Sequence, residues 1–252
     1  MAHINADSLG ARGADLLQNV GSMAELYAVA AEAIQTHSGQ PLSGKRMSRG
    51  ADQSFNGLGL PALFGDLSEP EPTPIGAHCW WWHTPDDLAD KIDPNNLVRD
   101  TRIYVHATWR LLTDAILPLD YAATACALQR ELDTLAPSGD LMDAARTLQA
   151  NAETLKTRAT ACDAAIVNRA LMQVSRALVP LDYTTGDRFA HDPALAQPAW
   201  AALQPLRTLA SATSGTDEAQ FLSVDATRTR NRVLAGLRQA NGVLEAAIER
   251  LA

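Results

Sequence analysis

His83 and Asp87 are the residues of this chain whose types and spacing best suit metal chemistry. They lie four positions apart, directly after three consecutive tryptophans at residues 80–82. A neutral imidazole is the commonest zinc ligand, and a nearby carboxylate can complete the metal shell or orient the ring through its second nitrogen. Asp7 supplies another carboxylate at the end of a predicted strand, where it would lie at a sheet edge. Each residue alone is more often structural, so the prediction of a metal site depends on their combination.

Cys79 and His78 extend this group of possible ligands. Cys79 lies four residues before His83, but no fourth ligand is obvious nearby, so a separate local metal site is the less favoured interpretation. The tryptophan run would suit the wall of a substrate pocket, although such clusters more often pack in a core or an interface. We therefore favour packing for the tryptophans.

Composition limits the classes of function. The chain has 252 residues, of which 46% are hydrophobic, so it can bury a substantial core. Its formal net charge of -8 argues against nucleic-acid binding, and no basic run contradicts this. We find neither a signal peptide nor an apolar stretch of the roughly 18 residues that a membrane helix needs. We expect no membrane partner, and the cellular compartment stays unassigned.

The elements that must position these residues follow from hydrophobic periodicity. Residues 2–7 and the apolar run 60–64 predict two strands, and residues 22–37 predict a helix with Ser22 as its N-cap. A second helix is predicted over 95–116. Its candidate core residues are Leu97, Ile103, Val105, Trp109, Leu112 and Ile116.

The residues after Pro118 are helical in pattern almost throughout. The predicted helices cover residues 120–135, 140–178, 200–210 and 217 to the end, with a loop over 179–198. Whether the long segment 140–178 forms one continuous helix stays open. Short connections between long helices are typical of an up-and-down bundle. The predicted architecture is an α/β remnant, meaning a few-stranded partial sheet with helices, followed by a mostly helical up-and-down bundle. The chain is predominantly α overall, with domains at residues 1–115 and 116–252.

The α/β part has too few strands for a complete domain. A two-stranded sheet is marginally stable alone, and its open edges need to be covered. The first domain therefore reads as half of a larger one.

Four groups of residues match the pattern of one known family. They are residues 4–8 (INADS), residues 49–55 (RGADQSF) with 59–62 (GLPA), residues 82–84 (WHT) with Asp87 and 90–93 (DKID), and residues 117–121 (LPLDY). In that order they resemble the strand with a zinc-binding Asp, the Ser-Asp-His-x-x-Phe and Gly-Ile-Pro segments, the final zinc-histidine motif, and the start of a helical domain. The family is that of the zinc aminopeptidases and glutamate carboxypeptidases, the di-zinc exopeptidases, including their transferrin-receptor-like relatives.

The resemblance implies two zinc ions in the complete family site, with Asp7 a ligand of one and His83 a ligand of the other. Asp52, Trp82 and Asp87 would lie behind the ligands or beside the substrate. The family's remaining ligands and its general-base Glu have no counterpart in this sequence, so we assign no catalytic residue. Since a zinc site needs three or four protein ligands, we expect zinc to be unbound or weakly bound and the isolated chain to be inactive.

Three explanations of this pattern stay open. The first is a split half of a zinc exopeptidase that acts with an N-terminal complementing chain. The second is a non-catalytic dimerisation or interaction module, since the resemblance implies a homodimer through the helical bundle. The third is a shortened reading frame of a longer peptidase gene.

Overall fold

The computed structural model describes residues 1–7, 9–48, 55–65, 67–70, 79–135, 139–185 and 197–251. Seven α-helices and one two-stranded sheet occur within these ranges, so the chain is predominantly α, as the sequence predicts. The described residues divide into two compact units. The sheet unit comprises those within 2–48 and 62–114, and the bundle unit comprises those within 55–61 and 115–251 together with Met1.

The sheet unit contains two very short parallel strands. β1 (His3–Ile4) pairs with β2 (Ala62–Leu63), with His3 opposite Ala62. Phe64, which has a left-handed φ of 62°, turns the chain away directly after β2. Pro61, just before β2, has no amide hydrogen to give to a ladder. The strands are therefore shorter than the predicted segments 2–7 and 60–64.

The first helix starts later than its sequence pattern predicts. The chain passes through a 3-10 turn at Ala24–Leu26 before α1 (Tyr27–Ser38). Ser22 forms backbone bridges with Arg46 and Leu63 instead of capping a helix, so the prediction of Ser22 as N-cap is wrong. Its extended backbone belongs to the sheet-like pairing beside β2.

The second helix, α2 (Pro94–Thr113), begins where the sequence predicts. The Asp93 side chain caps it by accepting hydrogen bonds from the amides of Asn95 and Asn96, and Pro94 occupies its first turn. Its buried residues are Asn96, Asp100, Ile103, Tyr104 and Ala107.

The face of α2 that the sequence assigned to the core is mostly on the surface. Val105, Trp109 and Leu112 are 60%, 65% and 78% exposed, and only Ile103 of the predicted set is fully buried. The inward orientation of the polar Asn96 and Asp100 sets this rotation, because both bind backbone groups of the N-terminal segment. The exposed apolar residues form what we call the α2 apolar face: Leu97, Val98, Val105, Trp109 and Leu112.

Helices α1 and α2 pack together through a network of ionisable side chains. His106 Nδ1 lies 3.2 Å from His37 Nε2, and His106 Nε2 lies 3.2 Å from a Glu32 carboxylate oxygen. Arg110 pairs with Glu32 and, at 2.7 Å, with Asp114. Burial, followed by the charge of His106, lowers the pKa of His37. The hydrogen bond from Arg110 lowers the pKa of Glu32.

The bundle unit contains four long helices and a short one. They are α3 (Tyr121–Asp133), α4 (Gly139–Arg158), α5 (Ala164–Tyr183), α6 (Gln204–Ser211) and α7 (Asp217–Glu249). Helix α4 packs against both α3 and α7, and α5 packs against α7. The Tyr121 hydroxyl on α3 bonds the Ser175 hydroxyl on α5, which closes the ring of four long helices.

The long helices alternate in direction along the chain, but two spatial neighbours run parallel. Asp140 near the start of α4 pairs with Arg230, and Asn151 further along α4 bonds Asn241 and Glu245. Residues further along α4 therefore contact residues further along α7, so these two helices run parallel. The bundle order is α3–α4–α7–α5, so α7 fills the place beside α4 that α5 would take in a simple sequential arrangement.

Two helix ends in the bundle differ from the predicted ones. The predicted helix over 140–178 is interrupted after Arg158, because Thr160 and Asp163 form a capping box that starts a new helix. Helix α5 then continues through Pro180 to Tyr183, where the sequence predicted a loop. Leu181 and Tyr183 are buried, and their burial compensates for the hydrogen bond that Pro180 cannot make.

The helices in the described ranges include none with both the length and the hydropathy required to cross a bilayer.

Candidate functional site

The segment from Cys79 to Asp87 is a succession of tight turns. The Trp82 amide donates to the Cys79 carbonyl at 3.0 Å, and the Asp87 amide donates to the Thr84 carbonyl at 3.1 Å. Thr84 donates to the Trp81 carbonyl through both its amide, at 3.0 Å, and its hydroxyl, at 2.6 Å. The loop that carries His83 has no regular secondary structure, and these local hydrogen bonds give it a defined conformation.

His83 occupies a left-handed backbone conformation, with φ of 58°. Non-glycine residues adopt this region rarely, and histidine does so more readily than most. Its ring stacks on Trp82, with centroids 3.6 Å apart and an interplanar angle of 16°. The stack orients the imidazole, which lies at the exposed surface of the loop.

The N-terminal segment that carries Asp7 is attached to the chain just after this loop. The Arg12 amide donates to the Lys91 carbonyl at 2.8 Å, and the Asp93 amide donates to the Gly10 carbonyl at 2.8 Å. Ala11 and Ile92 are paired as an antiparallel bridge. These contacts hold two segments distant in sequence on the same side of the sheet unit.

Three polar residues in the first turns of α2 secure the same N-terminal segment, and the sequence analysis did not assign them a role. Asp100 is fully buried and accepts hydrogen bonds from the Gly10 amide at 2.9 Å and the Ser68 hydroxyl at 3.2 Å. Arg99 donates to Asp100 and to the Ala14 carbonyl, at 2.8 and 2.9 Å. Asn96 donates to the Ala11 carbonyl at 3.1 Å.

The sequence does contain a signal that Asn96 and Asp100 act together. Asn96 and Asp100 are four positions apart, so they share one face of a helix. The apolar residues of α2 outnumber them, and a hydrophobic pattern alone therefore selects the wrong face.

A cleft of about 500 Å³ lies between the two segments. Asp7, Trp82, His83 and Asp87 all line it, and Cys79 contributes to its wall. The structure thus brings four of the five residues singled out by the sequence into one cleft. Asp52, the fifth, lies outside the described residues, as does His78.

The described residues do not by themselves provide a metal centre. No group of three or more His, Cys, Asp or Glu side chains within the described ranges is close enough to hold one metal ion. Burial raises the pKa of the Cys79 thiol, and the charge of Asp87 adds to this, so the protonated form is favoured over the metal-binding thiolate. The Cys79 thiol instead donates to the Arg12 carbonyl at 3.8 Å.

The three consecutive tryptophans do not pack in a core. Trp80 and Trp82 are 60% and 40% exposed, and Trp81 lines the cleft. Trp80 meets Trp81 edge to face, with centroids 5.7 Å apart, and Lys91 lies over its ring at 5.9 Å. The turns that begin at Cys79 keep these indoles at the surface of the single chain. Of the two kinds of packing that the sequence favours, the one in a core does not occur here, and the one at an interface stays a prediction.

Comparison of this chain with models of known protein families and with curated proteins finds no match.

Proposed function

We propose that this chain is the C-terminal part of a zinc exopeptidase of the aminopeptidase or carboxypeptidase type, and that it is inactive alone. The observation that carries the proposal is the shared cleft, in which Asp7 and His83 stand on separate segments with Trp82 and Asp87 beside them. One carboxylate and one imidazole are fewer than the three or four protein ligands of a zinc site. The remaining ligands and the general base would come from a complementing chain.

Each residue of the cleft has a role in this proposal that follows from its chemistry. When bound, zinc would supply a Lewis acid and a polarised water. His83 would donate a ring nitrogen whose orientation is set by the stack on Trp82, and Asp7 would donate a carboxylate oxygen. Asp87 would orient or neutralise the site, and Trp82 would offer an apolar surface to a substrate side chain.

Exposed surface on the sheet unit gives independent support for a complementing chain. The α2 apolar face presents Val105, Trp109 and Leu112 to solvent along several turns. Contiguous apolar surface of this kind marks interaction sites more often than ordinary surface. The two-residue strands also leave most of the expected sheet unformed within the described ranges. A second polypeptide that adds strands and covers α2 would satisfy both features.

Zinc stoichiometry tests the proposal. The chain is co-expressed with the polypeptide encoded immediately upstream in its genome, and metal content and aminoacyl-anilide hydrolysis are measured on the purified complex. We expect about two zinc ions per complex and loss of zinc after Asp7→Ala or His83→Ala. The exposed Asp86→Ala variant is the matched control. A complex that retains its zinc in the Asp7→Ala, His83→Ala double variant would refute the assignment.

The bundle unit supports a second proposal, a homodimer formed through its helices. Phe221 on α7 is 76% exposed and Val224 is 47% exposed, although α7 is packed on its opposite side by α4 and α5. Sedimentation equilibrium over a range of concentrations measures this. A strict monomer would count against the dimer and leave the zinc proposal standing.

A further inference from the structure

Two histidines join α1 to α2 within the sheet unit, and neither of them lines the His83 cleft. His37 lies in the last turn of α1, and His106 lies on α2, 69 positions further along the chain. The His37 Nε2 and His106 Nδ1 atoms are 3.2 Å apart, and the two rings meet edge to face with centroids 5.3 Å apart. Both side chains are partly exposed, so an ion from solution can reach the two facing nitrogens.

The separation of these two nitrogens suits two ligands of one metal ion. Zinc–nitrogen bonds are about 2.0–2.1 Å long, and the ligands of zinc take tetrahedral positions. Two nitrogens bound to the same ion therefore lie about 3.3 Å apart, close to the 3.2 Å between the facing nitrogens of His37 and His106. The same distance suits a hydrogen bond between the rings, so a metal ion would take the place of one imidazole hydrogen.

Glu32 selects the nitrogen of His106 that is available as a ligand. The His106 Nε2 atom lies 3.2 Å from a Glu32 carboxylate oxygen. Because an ionised carboxylate only accepts hydrogen bonds, Nε2 carries the hydrogen and Nδ1 presents its lone pair to His37. His37 offers its own Nε2 lone pair once its single ring hydrogen moves to Nδ1. A histidine that binds metal through one nitrogen typically donates its other N–H group to a carboxylate in this way.

The charged side chains that act on the histidine pair do not exclude a cation. Arg110 pairs with both Glu32 and Asp114, so its charge is compensated by two carboxylates. Arg102 adds a second positive charge, which acts on His37. The two carboxylates and the two guanidinium groups cancel, and a divalent ion at the pair therefore meets no net repulsion from these four groups.

We propose that His37 and His106 together bind one nitrogen-preferring divalent transition-metal ion. Imidazole is a good ligand for Zn²⁺, Cu²⁺ and Ni²⁺, whereas Mg²⁺ and Ca²⁺ prefer oxygen ligands. Water fills the remaining coordination positions, so the ion binds reversibly and links α1 to α2 when it is present. This site is independent of the proposed exopeptidase centre, in which Asp7 and His83 are assigned to two different ions.

Zinc titration tests the site in the full chain, without a histidine tag and with Asp7→Ala and His83→Ala, which we call the cleft-disabled chain. We expect about one Zn²⁺ per chain by isothermal titration calorimetry, and a higher unfolding temperature with Zn²⁺ but not with Mg²⁺. Glu32→Gln should weaken binding by about 10-fold, because the neutral amide no longer fixes the His106 tautomer. His37→Gln and His106→Gln each remove a ligand and should weaken binding more than this.

Gln35→Ala, on the exposed side of α1, is the matched control and should leave the zinc affinity unchanged. Long-range ¹H–¹⁵N NMR spectra of the cleft-disabled chain need no substitution at the pair. Zn²⁺ should shift His37 Nε2 and His106 Nδ1 and leave the His3 ring unchanged. A cleft-disabled chain that binds no zinc would overturn the site, as would zinc binding that survives the loss of both histidines. The exopeptidase proposal is decided separately, by the zinc content of the complex.

Discussion

At the scale of single residues, Asp100 is the side chain on which the geometry of the cleft most depends. It has no solvent exposure and links three parts of the sheet unit: the Gly10 amide, the Ser68 hydroxyl and Arg99. Removing one member of a buried ion pair leaves an uncompensated charge and costs about 3–5 kcal/mol. The Asp7 segment lies directly before Gly10, so the cleft wall depends on the same bonds.

We predict that Asp100→Ala lowers the free energy of unfolding by about 3 kcal/mol or more, as measured by calorimetry or by denaturation followed by circular dichroism. Asp86→Ala, an exposed carboxylate on the His83 loop, is the matched control and should change stability by less than about 0.5 kcal/mol. Equal effects of the two substitutions would contradict the structural role of Asp100.

His37 predicts a pH dependence of stability. Burial lowers its pKa in the folded state below the ordinary 6.5, so the unfolded chain binds this proton more tightly. The free energy of unfolding should therefore be highest above about pH 6.5 and should fall as the pH decreases toward the lowered value. Glu32, whose pKa is also lowered, loses its contribution only at more acidic pH, near and below 4.5.

His37→Gln tests this dependence through denaturation curves at several pH values between about 7.5 and 5.5. We expect the variant to show a smaller loss of stability over that interval than the wild-type chain. Gln35→Ala, on the exposed side of the same helix, removes no ionisable group and is the matched control, which should keep the wild-type slope. An unchanged slope in the His37 variant would mean that other groups produce it.

At the scale of elements, the 3-10 turn at Asn56–Leu58 approaches α5 more closely than a side chain permits. Gly59 follows it with φ of 78°, and a Cβ atom there would lie 2.4 Å from the Arg176 Cα. Because the atom that a Cβ would meet belongs to the backbone of α5, the clash cannot be relieved by the rotation of a flexible side chain. The small, left-handed residue is therefore required for the turn to pack on α5.

We predict that Gly59→Ala destabilises the chain by more than about 1 kcal/mol, as measured by thermal unfolding. Gly139→Ala is the matched control, because a Cβ atom added at this first residue of α4 would have no atom of another described segment within 4 Å. Its expected effect is between zero and a gain of about 1 kcal/mol. A neutral Gly59→Ala would show that the turn moves away from α5 freely.

The elements also show what hydrophobic pattern can and cannot predict. The start of α2 and the extent of α7 follow from local signals, since Asp93 and Thr216 cap them and proline or acidic residues fill their first turns. The orientation of α2 does not follow, because buried hydrogen bonds of Asn96 and Asp100 to distant backbone decide it. The break before α5 was readable in the Thr160–Asp163 capping box, but the helical periodicity on both sides concealed it.

For the candidate site, too, the sequence could predict some features and not others. Residue type and spacing drew attention to Asp7, His83 and Asp87, the family resemblance gave Asp7 and His83 their predicted roles and added Trp82, and all four residues line one cleft. The sequence could not give the left-handed backbone of His83 or its stack on Trp82, because both arise from the turn hydrogen bonds of one particular loop. Nor could it identify the contacts between Gly10 and Asp93 that hold the two segments together.

At the scale of the whole molecule, the tryptophans are divided unequally between the two units. The chain has five, and four of them, at residues 80–82 and 109, belong to the sheet unit. Trp200 belongs to the bundle unit and is 1% exposed, and its indole nitrogen has no hydrogen-bond partner among the described residues. Its backbone amide is held by Asp182 at 2.7 Å.

This distribution gives the protein a built-in fluorescence reporter for each unit. Trp200, which is buried from solvent, should emit at shorter wavelength and resist acrylamide, whereas the surface indoles should emit at longer wavelength and be quenched readily. Trp200→Phe should remove the blue, protected component and leave the quenchable one. Following the two components during denaturation would then reveal whether the sheet unit and the bundle unit unfold together or one after the other.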